Sequence, residues 1–166
     1  MAAQAEVLDE LHRLLARLPQ LTGALAASVD GLVLAQDTRG VEPEGLAALT
    51  ASAQGIALRF ADVTGQGAFR ELLVRSAHGY VATYTAGPSA VLTLLAEERV
   101  NVGRLHLEGR RSGQRIHELL GAVVQQPDRA PEQRPATTTG GALPVRTPSA
   151  RARRTPRPAT GEAPNT

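Results

Sequence analysis

Few residues of this chain have the types and the spacing that catalysis needs, and Ser28 with Asp30 is the most suggestive pair. A serine hydroxyl near a carboxylate could form a nucleophile with an acidic helper. The two residues flank Val29 and precede Gly31. At this spacing, serine and aspartate side chains more simply hydrogen-bond the backbone of a tight turn. We therefore expect this pair to shape a hairpin turn and not to catalyse a reaction.

The sequence contains no pattern typical of a metal or cofactor site. Its four histidines are dispersed, at His12, His78, His106 and His117. Helix surfaces place acidic residues near histidines such as His12 and His117 by chance. The segment Gly65–Gly67 matches half of a dinucleotide fingerprint, but it precedes a predicted strand, whereas the fingerprint must open a helix. We expect a loop there. The sequence thus predicts no metal site, no cofactor and no catalytic residue.

The composition excludes several classes of enzyme. The chain has no cysteine, which removes disulfides, thiolate nucleophiles and Cys-ligated zinc. All 18 basic residues are arginine, so the chain lacks the lysine that a P-loop or a Schiff-base enzyme requires. The acidic residues near the N-terminus are unlike a signal peptide, and no apolar stretch is long enough to span a bilayer. We expect a non-enzymatic, soluble, cytoplasmic protein.

The charge divides the chain into two parts. Residues 1–125 contain 11 Arg and 13 Asp or Glu, whereas residues 126–166 contain 7 Arg and 3 Asp or Glu. The second part is rich in proline, threonine and alanine and has almost no apolar run, so it cannot bury enough surface to offset the entropy of ordering. We predict a globular domain over 1–125 and a disordered basic tail over 126–166. The tail could contact an anionic membrane, and we expect no specific nucleic-acid binding.

Hydrophobic spacing and turn residues predict the element order α-ββ-α-βββ-α. Pro43 suits the first turn of the second helix, and Asn101 suits the N-cap of the third. Gly109 and Gly113 are expected to loosen that third helix. The predicted elements are a helix over 1–18, strands over 23–27 and 32–35, a helix over 43–60, strands over 68–76, 79–86 and 89–96, and a helix from 101 to about 123.

The second predicted helix has two distinct faces. We expect its apolar face to cover the sheet, and this face consists of Leu46, Leu49, Ala53, Ile56 and Phe60. Small residues form a row on another side, at Ala48, Ser52 and Gly55. Such a row allows another backbone to come close. It would serve either as the seam of a dimer or as the face by which the helix lies close on its own sheet.

Three segments carry a recognisable pattern: GALAASVDGLVLA over 23–35, GYVAT over 79–83 and NVGRL over 101–105. Together they resemble the roadblock family, the dynein-light-chain-like group with bacterial MglB-type members. The composition and the proline-rich tail are most similar to actinobacterial members. The resemblance implies a roadblock/profilin-like α+β fold, in which a five-stranded antiparallel sheet has the first and last helices on one face and the second helix on the other.

The resemblance also implies partners. One partner is a second copy of the chain, and the two copies meet through their second helices and third strands. The other partner is a small Ras-like GTPase. We expect the interface to include the second helix and the loop after it, at Glu44, Ala48, Ser52, Gly55, Arg59 and Asp62. Exposed arginines could face acidic groups or phosphates of the GTPase, although solvated surface charges are the simpler interpretation for Arg39, Arg59, Arg70 and Arg75.

The function we predict is a homodimeric regulator in bacterial signalling that binds the GTPase and modulates its nucleotide cycle or its location, including recruitment to the inner face of the membrane. The alternative is an assembly scaffold that joins a sensor kinase and a GTPase without responding to nucleotide. A ligand-sensing domain is a third class, but the sequence lacks the convergent aromatic and polar residues of a pocket.

Overall fold

The computed structural model describes residues 2–124, which form three helices and five strands in the predicted order. The elements are α1 (Ala2–Arg17), β1 (Leu21–Ser28), β2 (Val33–Thr38), α2 (Pro43–Thr64), β3 (Glu71–Ser76), β4 (Gly79–Thr85), β5 (Ala90–Glu97) and α3 (Val102–Val124). The tail predicted over 126–166 lies outside the described residues. Within 2–124, no helix combines the length and the apolar character needed to cross a bilayer.

The five strands form one antiparallel sheet in the order β2-β1-β5-β4-β3. Helices α1 and α3 pack on one face, while α2 packs on the other over β1, β2 and β5. Successive side chains of a strand point to opposite faces, so β5 contributes Leu92 and Leu94 to the first face and Val91 to the second. The predicted fold is confirmed.

The larger core lies between the sheet and the α1–α3 layer. Helix α1 buries one apolar side, at Val7, Leu11 and Leu14, and the buried Leu18 follows its last residue. Helix α3 contributes Leu105, Ile116 and Leu119. The predicted N-cap of α3 is confirmed, since the backbone N–H of Arg104 donates to Oδ1 of Asn101 at 2.9 Å.

The glycines of α3 have a different role from the predicted one. Gly109 and Gly113 are buried against β4, where Tyr84 is 1% exposed. A Cβ added at Gly113 would lie 2.7 Å from the carbonyl oxygen of Thr85, and one at Gly109 would overlap the Tyr84 ring. The prediction that these glycines loosen the helix was therefore wrong, because they allow the helix to approach the sheet closely.

A buried polar network joins α1 to α3. Arg17 donates to Glu10 at 3.0 Å, to Glu108 at 2.9 Å and to the hydroxyl of Ser112 at 2.9 Å. That hydroxyl in turn donates to Glu10 at 2.8 Å. Burial raises the pKa of Glu10, but the hydrogen bonds from Ser112 and Arg17 and the charges of Arg17 and Arg13 outweigh it, so the net pKa is lowered. Glu10 therefore stays ionised, and the network fixes α1 against α3.

Helix α2 faces the sheet with a side different from the predicted one. Its buried residues are Ala47, Thr50 and Gln54, whereas Leu49 and Phe60 are 70% and 66% exposed. Ile56 is also exposed. The prediction that these large residues cover the sheet was wrong. The sheet beneath α2 carries Thr93, whose hydroxyl lies 3.0 Å from that of Thr50, so a small and polar side of the helix fits there.

The contact between Tyr84 and α3 yields a stability prediction. Gly109→Ala should lower the free energy of unfolding by roughly 1–3 kcal/mol, because the new methyl group overlaps a packed ring. Gly121→Ala is the matched control on the same helix, since a Cβ there would meet no atom within 4 Å. It should raise the free energy of unfolding by about 0.5–1 kcal/mol through helix propensity. Urea unfolding of both variants measures the difference. Equal effects would contradict the packing role of Gly109.

Candidate functional site

The outward side of α2 is the most distinctive surface of the described chain, and its ends are well defined. Pro43 occupies the first turn, and Glu42 caps the helix by accepting from the backbone N–H groups of Glu44 at 3.0 Å and Gly45 at 2.5 Å. The helix runs four residues beyond the predicted end, to Thr64, and stops where Gly65 takes the left-handed conformation at φ 64°. This extension places Asp62 and Val63 on a regular helix.

The β1–β2 turn determines which flank of α2 is covered. Gly31 has φ 84°, and a Cβ added to it would lie 3.3 Å from Cα of Ala48 and 3.5 Å from Cβ of Ala51. The turn therefore packs against α2 on the flank near Ala51. The main sheet contacts of α2 are with β1, β2 and β5, and the large side chains on its opposite flank are exposed. That second flank stays open.

Two stripes of side chains occupy the uncovered part of α2. The first, the small-polar stripe, points away from the sheet and contains Glu44, Ala48, Ser52, Gly55, Arg59 and Asp62, all exposed. The second, the apolar stripe, lies on the open flank and contains Leu49, Ile56, Phe60 and Val63, which are 70%, 59%, 66% and 72% exposed. The small-polar stripe is spaced by three and four residues and the apolar stripe by seven, four and three, which places each set on one line along the helix.

The structure brings together all six interface residues predicted from the sequence, since they form the small-polar stripe. Within it, the hydroxyl of Ser52 donates to the carbonyl of Ala48 at 2.9 Å, and Arg59 pairs with Asp62 at 3.3 Å. A Cβ at Gly55 would meet no atom within 4 Å. Ser52 and Gly55 thus do not lie against their own sheet, which was one of the two alternatives that the sequence left open, whereas Ala48 borders the β1–β2 turn at Gly31.

Sequence reasoning missed the apolar stripe because it assigned Leu49, Ile56 and Phe60 to the sheet and ended the helix at residue 60, before Val63. Four large apolar side chains on one exposed line are unusual on an isolated domain, where exposed hydrophobic residues are normally scattered. One signal was present in the sequence. Apolar residues of α2 occupy more of the helix circumference than one buried face requires, as Leu46, Leu58 and Val63 lie on different sides. A second apolar face often indicates a second interface.

The two edges of the sheet differ in how they are protected. On β2, the side chain of Gln36 accepts from the backbone N–H of Thr38 at 3.0 Å and from its hydroxyl at 3.1 Å, which occupies part of that edge. Among residues 2–124, no side chain hydrogen-bonds a backbone N–H group of β3, and Val74 on that strand is 45% exposed. An edge strand of this kind can pair with another chain.

The other chemistry-bearing residues within 2–124 have structural partners or lie apart from one another. The hydroxyl of Ser28 accepts from the backbone N–H of Leu32 at 3.1 Å, so this serine shapes the turn as predicted. Gly65–Gly67 forms the end of α2 and a loop, also as predicted. No three His, Asp or Glu residues in this part of the chain are grouped to hold a metal ion. The arginines considered above are exposed and lie on separate elements, at positions 39, 59, 70 and 75.

One histidine belongs to a structural cluster on α3. Nδ1 of His106 lies 3.1 Å from the hydroxyl of Tyr84 and 3.6 Å from Glu71, and Glu71 forms a two-pronged ion pair with Arg110. Burial, and the charge of Glu71, raise the pKa of Tyr84, so the phenol keeps its proton. The cluster ties α3 to β3 and β4, and its tyrosine ring is inaccessible to a substrate.

Comparisons with known proteins agree with this architecture. The family model described as the Roadblock/LC7 domain matches residues 7–96. The uncharacterized protein MJ1340 of Methanocaldococcus jannaschii is 28% identical over 101 residues, which cover 60% of this chain and 88% of that protein.

Solved structures are similar in fold. A structure described as MglB with tetrameric arrangement has a TM-score of 0.69 at 22% identity and covers 74% of this chain and 93% of its own. A Roadblock/LC7 domain from Streptomyces avermitilis has a TM-score of 0.64 at 24% identity, with 69% and 97% covered.

Proposed function

Because the chain belongs to the Roadblock/LC7 domain family, we propose that it is a non-catalytic, homodimeric regulator that binds a small Ras-like GTPase in the cytoplasm and modulates its nucleotide cycle or its location. One observation carries this proposal. Helix α2 exposes two adjacent stripes of opposite chemistry, one apolar and one small and polar, that nothing else in the described chain covers. Two surfaces of different chemistry suit two different partners.

The apolar stripe is the surface we assign to self-association. Its ends, Leu49 and Val63, are each seven residues from Ile56, so the stripe is symmetric about that residue. In an antiparallel pair of α2 helices related by a two-fold axis, Ile56 would meet its own copy, and Leu49 would meet Val63 of the partner. Such self-complementarity is what an isologous dimer requires.

The β3 edge supports the same arrangement. The apolar stripe is exposed on α2, and β3, at the end of the sheet, presents an edge without a side-chain cap within residues 2–124. A second copy could therefore pair with β3 and pack its own α2 beside the first at the same time. The similar MglB structure with a tetrameric arrangement is an assembly of several copies, which supports self-association as a property of this fold.

The small-polar stripe is the surface we assign to the GTPase. It points away from the sheet, and in the proposed dimer two copies of it would lie side by side. Exposed Glu44, Arg59 and Asp62 offer charges of both signs, and Ala48, Ser52 and Gly55 between them allow a partner to approach the helix closely. A surface that binds one conformation of the GTPase switch segments better than the other would shift the equilibrium between them without doing chemistry.

Self-association is tested by a charge placed at the centre of the apolar stripe. Ile56→Asp should convert the dimer to a monomer in analytical ultracentrifugation, because two carboxylates would meet at the two-fold axis. The matched control is Leu107→Asp, since Leu107 is 64% exposed on α3, on the other side of the sheet. That variant should remain dimeric. A monomeric wild-type chain, or equal loss of dimer in both variants, would rule out this interface.

GTPase binding is tested with a Ras-like GTPase encoded beside this chain, loaded in turn with GDP and with a non-hydrolysable GTP analogue. We expect calorimetry to show tighter binding to one state, since a regulator must distinguish the switch conformations. Arg59→Glu should weaken that binding about tenfold through like-charge contacts and leave the dimer intact. Arg99→Glu, at an exposed site outside α2, should change little.

The other outcomes separate the alternatives. Equal affinity for both nucleotide states would favour a scaffold that joins a sensor kinase and a GTPase. Absence of binding in both states would refute the GTPase proposal while leaving the dimer test unaffected.

A further inference from the structure

A cleft of about 410 Å³ opens beside α3, on the side of the sheet opposite α2. Residues from three parts of the chain line it, and they are Arg70, Thr85, Gly87, Arg110, Gln114 and His117. We name it the α3 cleft. A cavity of this size falls within the range of small-molecule sites. Since it shares no residue with the two stripes of α2, its role is separate from the function proposed above.

The strands and the helix bring the lining side chains of the cleft together. The backbone N–H of Thr85, at the end of β4, donates to the carbonyl oxygen of Arg70 at 3.4 Å, which keeps the start of β3 beside the cleft. On α3, Arg110, Gln114 and His117 follow at intervals of four and three residues, so they share one side of the helix. The cleft is therefore built by elements that the fold holds in place.

The turn between β4 and β5 packs directly against the ring of His117. A Cβ added at Gly87 would overlap that ring, so only a glycine leaves room for it. The histidine is partly buried as a result. Its imidazole thus borders the cleft from a position that the turn restricts.

The arginines of the cleft retain free hydrogen-bond donors. Within residues 2–124, no carboxylate oxygen lies within 4.0 Å of the Arg70 guanidinium. Arg110 donates to Glu71 through Nε at 2.6 Å and through Nη2 at 2.5 Å. A guanidinium also carries N–H groups on Nη1, and those of Arg110 have no acceptor in the same part of the chain. This side-on pair holds Arg110 in place and leaves one end of its guanidinium available.

Two carboxylates adjoin residues of the cleft, and both are paired. The hydrogen bonds from Arg110 lower the pKa of Glu71 against the opposing effect of burial, so Glu71 stays ionised. Glu118 accepts from Arg115 at 3.1 Å and from Gln114 at 3.3 Å. Among the described residues, no carboxylate lines the cleft itself. The lining therefore offers N–H donors and positive charge, to which His117 adds when it is protonated.

A negatively charged ligand with several acceptor oxygens fits this lining. Arg70 and Arg110 come from different elements, and a tetrahedral phosphate presents oxygens in several directions, whereas a planar carboxylate suits a single guanidinium fork. We propose that the α3 cleft binds a small phosphate monoester, whose phosphate contacts Arg70 and Arg110. No large apolar side chain of the described residues lines the cleft. A phosphorylated sugar or polyol therefore suits the remaining space better than a lipid or a nucleobase.

The test is an NMR titration of the isotope-labelled full chain with glycerol phosphate, and glycerol is the matched ligand without the phosphate. We expect saturable shifts of the amide signals of Thr85, Gly87 and Gln114 with glycerol phosphate only. Arg70→Gln should weaken this binding about tenfold or more, because a hydrogen bond to a charged group is lost. His117→Gln should weaken it several-fold. Inorganic phosphate should shift the same signals but bind more weakly, since it leaves most of the cleft empty.

The matched control variant is Arg75→Gln. Arg75 is exposed near the other end of β3 and lies over the Tyr80 ring, at 5.8 Å from its centroid. This variant should bind glycerol phosphate as the wild-type chain does. Ultracentrifugation should show one oligomeric state for all variants, so weaker binding by Arg70→Gln reports on the cleft and not on the β3 edge.

Three results would overturn the proposal. The first is equal loss of binding in the Arg70 and Arg75 variants, or shifts that do not saturate and spread over the exposed arginines. The second is equal affinity for inorganic phosphate and glycerol phosphate, which would leave no role for the rest of the molecule. The third is tighter binding of a phosphoserine peptide than of glycerol phosphate, which would assign the cleft to a phosphorylated protein.

Discussion

The hydrogen bond between Thr50 and Thr93 sets the rotation of α2 about its axis, and the outward surface depends on that rotation. The two hydroxyls are buried, at 4% and 1% exposure, and lie 3.0 Å apart. A buried hydroxyl without a partner costs about 1–3 kcal/mol. Turning the helix to bury Leu49 and Ile56 would separate this pair and would force larger side chains into a layer that now fits Ala47. The helix therefore faces the sheet with its small side.

This rotation divides the domain into two interaction sides. The α2 side presents the apolar stripe on its open flank and the small-polar stripe on top, which suits a second copy and a further protein partner. The α3 side is fixed by the network of Arg17, Glu10 and Ser112 and by the Tyr84 contact, so its outward residues are held on a rigid helix. One sheet thus separates the α2 side, with its two exposed stripes, from the α3 side.

Much of the fold could be predicted from the sequence because its signals are local. The spacing of Leu11, Leu14 and Leu18, the proline at position 43 and the cap at Asn101 each specify an element by themselves. The row of Ala48, Ser52 and Gly55 could also be placed on one side of α2 by spacing alone. The face of α2 that meets the sheet could not be found in this way, because it depends on a hydroxyl pair 43 residues apart in sequence. The role of Gly109 likewise depends on Tyr84, a distant residue.

The central claim is that the apolar stripe of α2 is a two-fold interface centred on Ile56. The chain has no cysteine, so a single introduced cysteine reports on one position only. Under mild oxidation, Ile56→Cys should form an interchain disulfide rapidly, since a two-fold axis would bring the two Cα atoms within about 4–7 Å. Leu107→Cys, on the other side of the sheet, should cross-link only slowly, through random collisions. Cross-linking of both variants at the same slow rate would contradict the account.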